Sequence, residues 1–173
     1  MLEYTIAFIV RGHEVLLINR NNPPMQGVWH GVGGKIKDGE SPEACIMREI
    51  FEETGIRLAS EQIRFAGIVT WNGEEGLFSE GMYAYVAEVD EDFMYPTPIE
   101  VEEGILTWKS LDWVCGDDNR GVGRHMVRFL PPMLFESQCY EHRCRFEDNV
   151  LVGYELVPLE EAQRNDFDNI APL

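Results

Sequence analysis

Two rhythms of apolar and polar positions alternate along the chain. In YTIAFIVRGHEVLLINR (Tyr4 to Arg20), two β-rich apolar runs flank Arg11-Gly12-His13, which predicts a hairpin. NNPPMQG then reads as a loop, because its two prolines fix φ and remove donors. Trp29 to Val32 predicts a short strand ending in Gly33-Gly34. The period then becomes helical: Ser41 suits the N-cap, Pro42 the first helical position, and Gly55 the residue just past the C-terminus. Strands return with IRFAGIVTW, a turn near Asn72-Gly73, MYAYVAEV and, later, GILTW from Gly104. SLDWV predicts a short helix capped by Ser110, and Arg120 to Phe135 a second helix broken at Pro131-Pro132. YEHRCRF and VLVGYELV predict two last strands around a turn at Glu147-Asp148-Asn149, and the chain after about Glu160 reads as a polar, loose tail. No repeat or linker divides the 173 residues, so the expectation is a single α/β (α+β) domain spanning 1–173.

Charge narrows the partners. The net charge of −17, from 31 acidic against 14 basic residues, argues against duplex DNA or RNA, whose binding depends on Lys and Arg neutralising phosphates. A small anionic substrate then needs a cationic mediator, and divalent ions held by carboxylates are the usual one. The longest apolar runs, Tyr4 to Val10 and Val15 to Ile18, fall well short of the roughly 20 residues of a spanning helix. With no leader-like N-terminus, the expectation is a cytoplasmic protein with no membrane partner. Cys45, Cys115, Cys139 and Cys144 form no CxxC pair, which suggests packed thiols rather than disulfides or a zinc site.

The candidate chemistry lies in GGKIKDGESPEACIMREIFEETGI, from Gly33 to Ile56. Helical residues turn by roughly 100° each, so Glu49, Glu52 and Glu53 fall within about one quadrant of the helix. Like charges at such spacings repel, which asks for a reason to gather them. Carboxylates on an anchored helix suit Mg²⁺ or Mn²⁺, and a solvated acidic face is the plainer alternative. Arg48 can brace Glu49 or Glu52, while Ala44, Met47, Ile50 and Phe51 are suited to docking against a sheet. Gly33-Gly34 lets backbone approach a phosphate or metal closely, and Lys35 adds a positive charge.

Gly34, five residues, Glu40, seven residues, Arg48-Glu49-Ile50, one residue, Glu52-Glu53, one residue, Gly55-Ile56 resembles the signature box of the Nudix hydrolases at every fixed position. The resemblance implies the Nudix fold, a mixed β-sheet sandwiched between α-helices, and hydrolysis of a nucleoside diphosphate linked to another group with two to three divalent ions. Carried over by position, Glu49, Glu52 and Glu53 are the metal carboxylates, Gly33 the carbonyl ligand and Arg48 the orienter, with Glu40 structural. Glu49 or Glu52 is the expected acceptor of the proton from the attacking water. Lys35 is expected to hold a phosphate oxygen as a point charge, against a plain surface lysine.

GVWHGVGGKIKDGESPEACIMREIFEETG, GILTW and FEDNVLVGYELVPL further resemble the MutT-like 8-oxo-dGTP diphosphatase branch. There, an acidic residue five before a strand tryptophan adds a metal ligand. Here Glu103 precedes Trp108 by five, with Glu102 the neighbouring competitor. For a purine slot the candidate walls are Ile6, Phe8, Trp29, Trp71 and Tyr83, against plain core packing. His30 stands where some members of the branch read the base with asparagine, and GDDN offers Asp117 and Asp118 for their paired aspartates. The substrate-side set is thus Trp29, His30, Gly34, Lys35, Asp117 and Asp118. The implied partner is a small nucleotide. Phe129, Leu130, Leu134 and Phe135 belong either to the core or to a homodimer contact.

Overall fold

The first hairpin forms as expected. Strands β1 (Tyr4–Arg11) and β2 (Glu14–Arg20) pair antiparallel with Arg11 opposite Glu14. They belong to a computed structural model that describes residues 2–72, 78 and 80–160. A two-residue strand β3 (Trp29–His30) pairs with β2. Helix α1 (Pro42–Thr54) follows, then a 3₁₀ turn at Ser60–Gln62, β4 (Ile63–Trp71) and β5 (Glu80–Val89). β6 (Ile99–Val101) and β7 (Gly104–Ser110) make a small hairpin that leads into α2 (Leu111–Val114), α3 (Met126–Phe135), β8 (Tyr140–Glu147) and β9 (Val150–Pro158). The strands form one mixed sheet in the order β6-β7-β2-β1-β5-β4-β8-β9, with β3 attached to β2. β1 runs parallel to β5, from Tyr4 opposite Met82 to Arg11 opposite Val89.

Both faces of the central strands are buried, which explains why β1 reads as a nearly continuous apolar run. Ala7 and Ile9 point to the face covered by α1, where they pack with Ile46, Ile50 and Ile56. Ile6 and Phe8 point to the other face, against Phe129, Leu130 and Met133 of α3. The expected sandwich of a mixed sheet between helices is therefore present. At the β8–β9 turn, Asp148 and Asn149 take φ of 48° and 61°, a left-handed pair suited to a tight hairpin.

Several expectations are corrected. α1 docks through Cys45, Ile46 and Ile50, whereas Ala44 and Phe51 are exposed and the Phe51 ring carries the Arg57 guanidinium at 3.9 Å. The helix expected from Arg120 starts at Met126 and continues through Pro131 and Pro132. Pro132 cannot donate to the carbonyl four residues back, that of Arg128, and the Tyr154 hydroxyl donates to it instead at 3.0 Å. Ser110 makes no side-chain cap bond at α2. The expected purine walls do not share one face: Tyr83 lies on the α1 side, and Ile6 and Phe8 on the α3 side with Trp29 and Trp71.

The four cysteines are free thiols, and Phe129 and Leu130 belong to the core while Phe135 is exposed. Among the described residues, no helix is long and apolar enough to cross a membrane. Gly73 of the expected turn and the tail after residue 160 lie outside the described residues.

Candidate active site

The site grows from the ends of α1. Ser41 Oγ accepts from the Ala44 N–H at 3.2 Å, Pro42 needs no donor at the first position, and Gly55 closes the helix at φ 74°. Held this way, α1 lays Glu49 and Glu53 against the Gly33-Gly34 segment that leaves β3. The Gly33 N–H donates to Glu53 Oε2 at 3.2 Å. A Cβ on Gly34 would fall 2.5 Å from the Glu49 carboxyl carbon, so only glycine admits the carboxylate there. Thr5 takes the Gly34 carbonyl through its N–H at 2.9 Å, which leaves the Gly33 carbonyl as the free acceptor of the pair among the described residues.

Arg48 organises the carboxylates. Its guanidinium grips Glu40 in a fork of two 2.8 Å bonds, donates to Glu52 at 2.9 Å, and also bonds Glu49. The fork holds the Glu40 carboxyl down to about 2 and raises the guanidinium's own value. Glu53 differs. It is buried, and desolvation pushes its carboxyl up to about 7 against the opposing Gly33 bond, with the charges of Glu49 and Glu103 pushing the same way.

Glu103 sits on the β6–β7 turn, where its carbonyl accepts from Asn21 N–H at 2.8 Å. Among the described residues, no three His, Cys, Asp or Glu side chains already stand in metal-holding geometry. The donor set nevertheless fits a hard divalent ion. Glu49, Glu52, Glu53 and the Gly33 carbonyl supply only oxygen, and a cation would relieve the cost of ionising the buried Glu53.

Lys35 lies apart from the carboxylates, with its ammonium 3.2 Å from Glu3 and over the Tyr4 ring. Lys37, which the sequence reading passed over, comes within 3.9 Å of Glu52. Arg20, at the end of β2, was also passed over. Its positive charge acts on both Glu53 and His30, and its Nε is buried with no hydrogen-bond partner among the described residues. Nothing local in INRN marks it, because the fold alone brings the end of β2 to the site.

On the α3 side, His30 donates from Nδ1 to the Gly31 carbonyl at 3.2 Å, which leaves Nε2 as an acceptor in the neutral ring. Its ring centroid lies 6.3 Å from that of His125, which in turn packs on Phe129 and Phe146. Burial pulls His30 down to about 3, with His125 adding to the effect, and burial pulls His125 down to about 4. Trp29 lies beside them with Lys109 Nζ 4.0 Å from its ring centre. Asp117 and Asp118 are exposed in the loop after α2, and it is His125, not they, that the fold sets against His30.

The NUDIX domain matches residues 2–126. An NAD-capped RNA hydrolase, NudC, of Pseudomonas aeruginosa is 31% identical over 123 residues, 70% of this chain and 41% of that protein. The chain thus spans about two fifths of the length of the first curated relatives it matches. The oxidized purine nucleoside triphosphate hydrolase of Mus musculus is 28% identical over 156 residues, covering 88% of this chain and 92% of that one. A mutator MutT protein from Bacillus halodurans shares the fold at a TM-score of 0.72 and 24% identity, over 90% of this chain and 97% of that one. With the domain matched over most of its length and the box residues folded onto the Gly33-Gly34 segment, the chain belongs to the NUDIX domain family.

Proposed function

We propose that the protein is a pyrophosphohydrolase that cleaves nucleoside triphosphates, oxidised purines of the 8-oxo-dGTP kind among them, to the monophosphate and pyrophosphate. The observation that carries this reading is the meeting of the α1 carboxylates with the glycine pair: Glu53 on the Gly33 N–H and Glu49 against Gly34. The near end-to-end correspondence with the mouse hydrolase supports a free triphosphate over a larger substrate.

Nudix hydrolases use divalent ions such as Mg²⁺ or Mn²⁺, and two or three of them bound here would neutralise the diphosphate and acidify the attacking water. Glu49, Glu52, Glu53, Glu103 and the Gly33 carbonyl would hold them. Glu49 and Glu52, each bonded to Arg48 and not buried with Glu53, would accept the water's proton in this reading. Arg48 fixes their rotamers through its fork on Glu40. Arg20, with a spare buried N–H, and Lys35, whose exposed pair with Glu3 is weak and exchangeable, hold phosphate oxygens. The neutral His30 and His125 accept donors from the base edge beside Trp29, and Gly34 keeps the backbone close to the phosphates.

A second reading is cleavage of a dinucleotide or nucleotide cap, favoured by the identity to NudC. A binding-only domain is disfavoured by the intact Glu49, Glu52 and Glu53. Product analysis with Mg²⁺ over 8-oxo-dGTP, dGTP, ATP, NAD⁺ and ADP-ribose separates the three. Monophosphate and pyrophosphate from 8-oxo-dGTP in preference to the others is expected. Turnover confined to NAD⁺ or ADP-ribose favours the second reading, and turnover of none favours the binding domain.

A further inference from the structure

Two polar side chains lie where packing alone asks for none. Thr5, on the α1 face of β1, and Cys45, on the face of α1 that docks against the sheet, are both buried, with Oγ1 and Sγ 3.3 Å apart. The next positions of that strand face, Ala7 and Ile9, are apolar, as are Ile46 and Ile50 of the helix. A valine and an alanine would fill much the same space without desolvating a hydroxyl and a thiol. Buried polar groups carry that cost, and here both are bonded.

Their bonds lead to the two halves of the candidate site. On one side, the Thr5 N–H and hydroxyl both reach the Gly34 carbonyl, at 2.9 and 3.5 Å, and a Cβ on Gly33 would run into the Thr5 carbonyl. Since the Gly33 N–H is on Glu53, the peptide that presents the Gly33 carbonyl is held from both ends. On the other side, Arg48 Nη2 donates to Cys45 Sγ at 3.4 Å, while the same guanidinium holds Glu40, Glu49 and Glu52. Burial raises the Cys45 thiol to about 11, so it keeps its proton at neutral pH. With the Thr5 hydroxyl proton turned to Gly34, the thiol proton is the one left for Thr5. The donors then run in one direction, from Arg48 to Cys45, to Thr5, to Gly34, and donors aligned in this way polarise one another. Arg48 Nη2 also donates to the Lys35 carbonyl at 3.3 Å, one residue past Gly34, so the chain reinforces a short direct tie.

We propose that Thr5 and Cys45 are positioning residues that couple the Gly33-Gly34 backbone to Arg48, so that the Gly33 carbonyl and the α1 carboxylates are held in register as one set of oxygen donors. The inference rests on the pyrophosphohydrolase reading and adds to it two residues that the glutamate pattern does not contain. Neither touches the substrate or an ion; each acts through its neighbour.

The test compares the full chain with Thr5→Val, Thr5→Ser, Cys45→Ala and Cys45→Ser. It reads Mn²⁺ affinity by electron paramagnetic resonance, kcat and KM for 8-oxo-dGTP with Mg²⁺, and folding by circular dichroism. Thr5→Val keeps the shape and loses the hydroxyl, whereas Thr5→Ser keeps the hydroxyl and loses the methyl; Cys45→Ala and Cys45→Ser divide in the same way between losing and keeping a polar hydrogen. Thr5→Val and Cys45→Ala should each weaken Mn²⁺ binding about tenfold and lower kcat about tenfold with KM within about twofold, while the two serine variants stay within about threefold of wild type. A packing role reverses the order at Thr5, because serine leaves a methyl-sized void and valine none. Wild-type affinity and kcat in Thr5→Val and Cys45→Ala, or serine variants that fall as far as their partners, overturn the proposal, as does the absence of Mn²⁺ binding by wild type. If Thr5→Val does not fold, Cys45→Ala against Cys45→Ser decides. If wild type hydrolyses no nucleotide while Mn²⁺ affinity follows the hydroxyl and the thiol, the enzymatic reading falls and the coupling stands. If wild type hydrolyses nucleotide and no variant differs from it, the coupling falls and the enzymatic reading stands.

Discussion

On the α1 side of the sheet, charge is concentrated and compensated: one guanidinium holds Glu40, Glu49 and Glu52, and Glu53 lies beneath them against the Gly33 N–H. On the α3 side, three imidazoles sit among aromatic rings and are kept neutral by burial, His30 near 3 and His125 and His142 near 4. His142 accompanies the proline bypass, since its Nδ1 donates to the Tyr154 hydroxyl at 2.8 Å and that hydroxyl then donates to Arg128. The first region can gather cations and move a proton. The second can hold a base by shape, stacking and acceptors. The proposed nucleotide substrate needs both, and the short β3 strand with Gly33-Gly34 is where they meet.

The division predicts separable failures. Glu53→Gln should cut turnover by at least about 10²–10³-fold, since it removes charge from the proposed cation site while leaving the fold intact; pyrophosphate release and circular dichroism, read together, check this. Burial raises the Glu53 carboxyl, so the folded state favours its acid form, and its contribution to stability falls as pH rises from 4.5 through about 7. The same variant should therefore melt higher than wild type at pH 8 in EDTA, by about 2–4 °C for each kcal/mol relieved.

Arg48→Ala should cost about 2–4 kcal/mol in urea unfolding, because Glu40 and Glu49 lose their partner in a half-buried setting. Turnover should fall with it, as the rotamers of Glu49 and Glu52 loosen. His125→Ala should instead raise KM for the purine substrate about tenfold with kcat within about twofold, the signature of binding lost equally in ground and transition states. A large fall in kcat with unchanged KM would erase the contrast between the two sides.

Acid should strike the α3 side first. The three histidines have folded values below their ordinary 6.5, so the unfolded chain binds more protons, and stability is lost as pH falls from about 6.5 toward 4. Each contributes a slope of up to about 1.4 kcal/mol per pH unit, and His142→Gln should flatten the fall in urea midpoint between pH 7 and pH 5. At the small end, Glu61→Gln on the exposed 3₁₀ turn should shift stability by no more than about 0.5 kcal/mol and leave kinetics alone.

The same comparison explains what was legible in the sequence. The carboxylate side lies almost whole between Gly33 and Ile56, and its logic is local: a cap, a proline, a closing glycine and helical spacing. Ser41, Pro42 and Gly55 read correctly because each satisfies a backbone demand at its own position. The imidazole side draws on β3, α3, β8 and β9, so its logic is tertiary. Propensity says that Pro131-Pro132 ends a helix, and only a tyrosine from β9 makes the continuation tolerable. His125 carried no mark in RGVGRHMVR until the fold set it beside His30, whereas Asp117 and Asp118 were singled out by the resemblance of GDDN to the branch's paired aspartates. Arg20 escaped for the same reason as His125.

The central claim, that the α1 carboxylates and the Gly33-Gly34 backbone form a divalent-cation site, is tested most directly by titrating Mn²⁺ into the protein and following free Mn²⁺ by electron paramagnetic resonance. Wild type should bind at least one ion, with affinity falling about tenfold or more in Glu52→Gln and Glu53→Gln while Glu61→Gln is unchanged. Equal binding in all four proteins, or none in wild type, would contradict the account.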